Sequence, residues 1–152
     1  MKGFGDKNQS KKKNIRYDKE KINTDQLIKK AFQLQAEGKK LEAAKYYSYL
    51  IKNGLKNYRV FSNYGTFLKE IGKHKEAELE LNKAITLNPK YANAYYNLGS
   101  LFLEKGNLSQ AEIYFRKAIE LNPAFDIAYY NLGFILKNLG KLKEAKLYIQ
   151  KA

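Results

Sequence analysis

Apolar residues in the middle of the chain follow two short helical periods separated by a turn. In each period the apolar side chains recur three or four positions apart, which places them on one face of a helix. They are Tyr95, Leu98 and Phe102 in the first period and Ala111, Phe115 and Ala118 in the second. Gly106 and Asn107 between the periods favour a turn, and Pro123 ends the second period. The pattern predicts a helix–turn–helix hairpin.

Two residues within this hairpin carry predictions about its packing and its boundaries. Gly99 adjoins the apolar face of the first helix, and its missing side chain lets a neighbouring helix approach closely. Ser109 is followed three residues later by Glu112, which matches a capping box. We therefore expect Gly99 to be a close-packing position and Ser109 to open the second helix.

The same pattern recurs every 34 residues without a gap. The aligned positions are Phe61, Tyr95 and Tyr129; Tyr64, Leu98 and Leu132; Gly65, Gly99 and Gly133; Leu68, Phe102 and Leu136; Gly72, Gly106 and Gly140; Ala77, Ala111 and Ala145; Leu81, Phe115 and Ile149; Ala84, Ala118 and Ala152; and Pro89 with Pro123. This period and pattern resemble the tetratricopeptide repeat (TPR). The resemblance implies an all-α, right-handed superhelix, an α-solenoid whose stacked hairpins bury one continuous core.

The 34-residue register divides the chain into a leader and four units. The ranges are 1–23 for a basic leader, 24–57 for the first unit, 58–91 for the second, 92–125 for the third and 126–152 for an incomplete fourth. The first unit departs from the pattern at Lys30 and Ala31, and Gly54 takes over the end of its second helix. We predict that this degenerate unit is the N-terminal cap, since a terminal repeat has one side facing water.

The fourth unit stops before its second helix is complete. No polar helix follows to cover Leu136, Leu142, Tyr148 and Ile149. Three explanations are open: the chain is a fragment of a longer protein, a partner or a second copy covers this end, or the protein tolerates the exposure. The second explanation predicts self-association through the uncapped C-terminal repeat.

The net charge of +14 is spread along the chain. Residues 1–23 contribute +5 and the remainder contributes +9. Only Arg16, Arg59 and Arg116 are arginine, the residue that makes bidentate contacts to guanine. The lysine excess therefore predicts a diffuse field that attracts acidic partners and argues against a surface that reads nucleic-acid sequence. Weak nucleic-acid binding through the basic charge stays an alternative. We expect the leader to be disordered, and we leave open a solvated tail, an anion-binding tail or a tail docked on its own repeats.

No group of residues in the sequence predicts an active site. Cysteine is absent and His74 is the only histidine, so a metal or catalytic site lacks partners. Glu76, Glu78 and Glu80 crowd one helix, which indicates a solvated, ion-paired outer face. We predict a protein that is not an enzyme and needs no cofactor. The lack of cysteine, of a secretory signal and of a long apolar run predicts a cytoplasmic protein.

The remaining candidate site is the face of each first helix opposite its apolar stripe. By resemblance, this face lines the concave groove of the superhelix and binds a protein or peptide, extended or acidic. The residues expected there are Arg59, Asn63, Lys69, Asn93, Tyr96, Asn97, Tyr130, Asn131, Phe134 and Lys137. The asparagines form a ladder whose amides suit a peptide backbone. Their alternative role is to hold neighbouring repeats together.

Two narrower functions within the resembled family can be compared with this sequence. Some TPR domains clamp the terminal carboxylate of a chaperone, but the clamp positions hold Ile28, Phe32, Asn93 and Asn97 here. Only Asn63 matches, so we reject the clamp. Other arrays are N-terminal arms of larger bacterial sulfo-, glycosyl- or methyltransferases. In that case the chain would present substrate to a catalytic domain that lies outside this sequence.

Overall fold

A computed structural model describes residues 23–152, and within this range the chain forms eight α-helices and no strand. The helices are α1 (Thr24–Ala36), α2 (Lys40–Lys52), α3 (Tyr58–Glu70), α4 (His74–Leu87), α5 (Ala92–Glu104), α6 (Leu108–Leu121), α7 (Asp126–Asn138) and α8 (Leu142–Ile149). The predicted all-α fold is confirmed. The predicted leader lies outside the described residues, except for its last residue, Asn23, which caps α1.

The helices pair into four hairpins, α1 with α2, α3 with α4, α5 with α6 and α7 with α8. The turn of the third hairpin shows how each is closed. Gly106 has φ 73°, and the Asn107 amide donates to the carbonyl of Phe102 at 2.9 Å, so the last carbonyls of α5 are satisfied. Gly54, with φ 85°, ends α2 as predicted. Each second helix also packs on the first helix of the next unit, which makes the array an α-solenoid.

The start of α6 corrects one prediction. The helix begins at Leu108, and the side chain of Asn107 accepts a hydrogen bond from the Gln110 amide at 3.1 Å. Ser109 is therefore inside the first turn and is not the cap. The left-handed turn at Gly106 brings Asn107 to the helix entrance, two positions earlier than the capping-box pattern suggested.

The largest apolar cluster runs from Leu68 in α3 to Ala145 in α8 and includes the fully buried Phe115. A second cluster joins α1, α2 and α3 around Tyr47. Tyr64 packs against both clusters, so the core passes from the degenerate first unit into the regular ones. This arrangement follows the repeat pattern, in which each unit buries its apolar face against the next.

The described C-terminal end is covered in part. Leu136 is fully buried and Tyr148 is half-buried, whereas Leu142 and Ile149 are exposed. The expected exposure of Leu136 is therefore wrong, because eight residues of α8 are enough to cover it.

A correction also applies to the acidic run on α4. Glu76 is exposed and pairs with Lys73, but Glu80 is only 8% exposed. Glu80 Oε1 accepts from Lys83 at 2.9 Å, while its Oε2 has no hydrogen-bond partner among the described residues. The 34-residue register explains the burial of Glu80, because the same position is at least half-buried in every unit. The other units have Tyr46, Tyr114 and Tyr148 there, and all three are half-buried.

The second helices of the last two units are joined by an ionic network around Arg116. Its guanidinium donates to Glu112 at 2.8 Å, to Glu144 at 2.6 Å and to the Tyr148 hydroxyl at 2.8 Å. Lys141 adds a second cation at 2.9 Å from Glu112. Burial acts to raise the pKa of Glu112, but hydrogen bonds from Lys141 and Arg116 outweigh it and hold this pKa below its usual value.

We expect Gly99→Leu to destabilise the fold by about 2 kcal/mol or more, as overpacking of a close contact does. A Cβ atom at Gly99 would lie 2.8 Å from Cδ1 of Phe115, whose ring is fully buried and cannot move aside cheaply. Urea denaturation measures the loss. The control is Ser109→Leu, an exposed position on α6. An unchanged denaturation midpoint for Gly99→Leu would refute the close-packing role.

We expect Glu112→Gln to lower Tm at neutral pH and to have less effect in acid. The pKa of Glu112 is lower in the folded chain than in the unfolded one. Its contribution to stability is therefore complete above the usual pKa of 4.5 and is lost as the pH falls through the folded pKa. Thermal melts of both proteins across this range test the prediction, with Glu120→Gln as the exposed control. A Tm difference that is independent of pH would contradict it.

Candidate functional site

The first helices of neighbouring units lie close together on one side of the solenoid. Helix α3 contacts α5 directly, and no pair of second helices in the described chain makes as extensive a contact. The Asn97 side chain links α5 to α3, and the Asn131 side chain links α7 to α5. We call the side of the first helices that is turned away from their own second helices the inner face. Its residues include Arg59, Asn63, Asn93, Ser100, Ile127, Tyr130, Phe134 and Lys137.

The three asparagines of the predicted ladder all make hydrogen bonds to the preceding unit. Asn63 Nδ2 donates to the Tyr47 hydroxyl at 3.2 Å. Asn97 Nδ2 donates to Ser62 Oγ at 3.2 Å, and Asn131 Nδ2 donates to the Tyr96 hydroxyl at 3.3 Å. These contacts support the structural alternative for the ladder. A direct contact of the asparagines with a ligand stays a prediction.

Tyr96 is placed differently from the expectation that its ring faces a ligand. The ring lies between Phe115, at 5.5 Å between centroids, and Phe125, at 4.9 Å. It is half-buried, and its hydroxyl accepts the bond from Asn131. The aromatic packing explains why this ring turns inward: Phe115 and Phe125 bury more of its apolar area than solvent-facing placement could.

The charge of the inner face is more localised than the sequence suggested. Lys69 is bound to Glu104 at 2.5 Å, and its side chain is only 14% exposed. Glu104 also lies 3.9 Å from His74 Nε2. Arg59 and Lys137 are exposed and belong to no ion pair among residues 23–152. The positive character of this face therefore comes from two separate positions.

Arg59 is held in place by an aromatic ring that the sequence pattern did not single out for the site. Its guanidinium lies over the Phe32 ring, 4.6 Å from the centroid. Such stacking orients a cation without neutralising it. Phe32 belongs to the degenerate first unit, where the repeat register predicted little. The sequence did contain one indication that Phe32 lies on this face. Phe32 follows Ile28 by four positions, which places both on the corresponding face of α1.

An apolar stripe is exposed on the inner face of α7. Ile127, Tyr130 and Phe134 are spaced three and four positions apart, and they are 53%, 59% and 47% exposed. Tyr130 and Phe134 were predicted site residues, and Ile127 extends their row. The corresponding positions on α5 are Asn93, which is exposed, and the half-buried Tyr96 and Ser100. The inner face thus changes from polar to apolar between the third and fourth units.

Two further properties of residues 23–152 bear on the class of site. No group of three or more His, Cys, Asp or Glu side chains in this range is arranged to hold a metal ion. None of the helices described there combines the length and the apolar character that crossing a bilayer requires.

We expect Asn97→Ala to cost about 1–2 kcal/mol of folding free energy, because it leaves the buried hydroxyl of Ser62 without its donor. Asn138→Ala removes the same kind of side chain from an exposed position at the end of α7, and it should change stability little. Urea denaturation of both variants measures the difference. Equal midpoints for the two would show that the cross-unit bond does not stabilise the solenoid.

The sequence matches models of one protein family. A tetratricopeptide repeat model matches residues 92–125, a TPR repeat model matches 67–106, and another tetratricopeptide repeat model matches 114–146. The matched residues together run from 67 to 146, which is just over half of the 152 residues. Among curated protein sequences, none matches the chain significantly.

Solved structures with the same fold include MamA, with 26% identity and a TM-score of 0.77 over 85% of this chain and 75% of that one. A structure of pilF from Pseudomonas aeruginosa matches with 28% identity and a TM-score of 0.74, over 84% of this chain and 59% of that one. An O-GlcNAc transferase from Thermobaculum terrenum matches with 24% identity and a TM-score of 0.69. That match covers 74% of this chain and 22% of the transferase.

Proposed function

Because the chain belongs to the tetratricopeptide repeat family, we propose that it is a protein-interaction scaffold that binds an extended segment of a partner along its inner face. The observation that carries this proposal is the exposed apolar stripe of Ile127, Tyr130 and Phe134 on α7. Three large apolar side chains in one row, next to polar neighbours, are typical of a surface that a partner covers. Interfaces are enriched in aromatic side chains of this kind.

The charges beside the stripe favour an acidic segment. Lys137 follows Tyr130 by seven positions, which is about 10 Å along the helix. A carboxylate two or three residues from an apolar anchor could reach this lysine, and a second carboxylate could reach Arg59 further along the face. Such contacts at a solvent-exposed rim would speed association and weaken with salt.

The middle of the inner face suits the backbone of the bound segment. Ser100 and Thr66 are small, so the chain of a ligand could approach α3 and α5 closely. Each ladder asparagine uses one N–H for its cross-unit bond, and no bond to its carbonyl oxygen occurs among the described residues. The carbonyl oxygen and the second N–H are suited to pair with a peptide amide.

A library of random 12-residue peptides displayed on phage tests the proposal with a defined probe. We expect selection to enrich peptides that combine an aromatic or aliphatic residue with acidic ones. Their affinity for Phe134→Ala should fall about tenfold or more, since truncating a central apolar anchor costs 1–2 kcal/mol or more. Fluorescence polarisation measures the affinity.

The matched control is Leu142→Ala, which removes an exposed apolar side chain from α8. Enriched peptides that bind the Phe134 and Leu142 variants equally well would contradict the location of the site. Failure to enrich any peptide family would contradict the proposal itself.

A second copy of the chain is an alternative occupant of this end. The exposed side chains of Leu142, Leu147 and Ile149 on α8 favour it, because a second copy that packed against this helix would cover them. Sedimentation velocity at rising protein concentration distinguishes self-association from binding of a different partner. A wild-type dimer together with a monomeric Leu147→Lys variant would support self-association. A wild-type chain that stays monomeric at every concentration would dismiss it.

A transferase arm is the other candidate. The match to the Thermobaculum terrenum O-GlcNAc transferase covers 22% of that chain. If the present chain has the same role, its reading frame or the neighbouring one continues into a transferase domain, and the scaffold would present substrate to it. Genomic sequence downstream of residue 152 decides this point.

A further inference from the structure

We propose a second protein-binding site, which lies between the first two units and shares no residue with the apolar stripe on α7. It is an open groove of about 430 Å³ between α2 and α3, and it would bind an acidic helical segment of a partner protein. The residues used in this argument are Leu41, Lys45 and Lys52 on α2 and Tyr64 and Phe67 on α3. We call them the α2 groove.

The floor of the α2 groove is aromatic and partly open. The rings of Tyr64 and Phe67 lie parallel, 6.4 Å apart, and both are half-buried. The corresponding residues of the next two units are Leu98, Leu101, Leu132 and Ile135, and all four are fully buried. The open floor therefore distinguishes the second unit from the third and fourth. Hairpin packing alone does not require it, because the same positions close completely in those two units.

The rim of the α2 groove carries two lysines and no carboxylate. Lys45 and Lys52 are exposed and form no ion pair among the described residues, unlike Lys39 and Lys40 at the start of the same helix. At the position of Lys45 the later units have Leu79, Ile113 and Leu147. Lysine at this position is thus another departure from the repeat pattern, and it occurs only in the first unit.

Charge and spacing together identify the partner. Lys45 and Lys52 are seven residues apart, so their attachment points lie about 10 Å apart on one side of α2. Two carboxylates seven residues apart on a partner helix have the same separation. An apolar side chain midway between them would reach the aromatic floor, and Leu41, which is 64% exposed, would cover its flank. A basic segment would be repelled by the same rim.

The probe is a fluorescein-labelled, alanine-based helical peptide with two glutamates seven positions apart and one leucine midway. A second peptide has glutamine at both glutamate positions. We expect the acidic peptide to bind the full chain. The affinity of the glutamine peptide should be lower by a factor of about ten or more. Lys45→Glu with Lys52→Glu should lower the affinity for the acidic peptide by at least the same factor.

The control for overall charge is Lys75→Glu with Lys143→Glu, which changes the net charge equally at exposed positions on other second helices. It should retain the affinity within about twofold to threefold. Tyr64→Leu with Phe67→Leu introduces the residues that the third unit has at these positions. This double variant should lose affinity while circular dichroism shows an unchanged helical content. Lys45→Ala with Lys52→Ala repeats the test if the glutamate variant does not fold.

Three results would overturn the proposal. The first is no binding of the acidic peptide by the wild-type chain at low salt. The second is equal weakening of binding in the two lysine-to-glutamate double variants, which would indicate attraction by net charge alone. The third is loss of binding in Phe134→Ala, which would place the peptide on the inner face. Retained binding by Phe134→Ala separates the α2 groove from the function proposed above.

Discussion

The solenoid depends on the close contact between the two helices of each regular unit. A glycine on the first helix faces a large side chain on the second, and an added Cβ atom would lie 2.5–2.8 Å from it. The pairs are Gly65 with Leu81, Gly99 with Phe115 and Gly133 with Ile149. Because this contact occupies one face of the first helix in each regular unit, only the opposite face is left to join neighbouring units and to meet a partner.

Those two tasks compete for the same few positions on the inner face. Asn97, Asn131 and Tyr96 are committed to contacts between units, and Lys69 is neutralised by Glu104. Arg59 and Lys137 stay available to a partner because they belong to no ion pair among the described residues. The result is a face whose chemistry changes along the array, with a cation at Arg59, small polar side chains in the middle and an apolar stripe on α7.

The repeat period was sufficient to predict the helices, the hairpins and the glycine contacts, because these depend on residues close in sequence and on a pattern that recurs. The cross-unit contacts could not be predicted. Asn97 and Ser62 are 35 residues apart, and their bond depends on how one hairpin is placed on another. The burial of Glu80 and the inward turn of Tyr96 could not be predicted for the same reason. They depend on how helices pack on one another, which periodicity alone does not describe.

The hydrogen bond from Asn131 to Tyr96 has a consequence for how this array can change its length. The third unit contains a donor asparagine, Asn97, and an acceptor tyrosine, Tyr96, at the two positions that form the joint. A duplicated copy of residues 92–125 would therefore bond to its own original without any change of sequence. The second unit offers the shorter Ser62 as its acceptor. Copies of the third unit can therefore stack on one another with this hydrogen bond intact. Each added copy would lengthen the inner face by one repeat with the same residues.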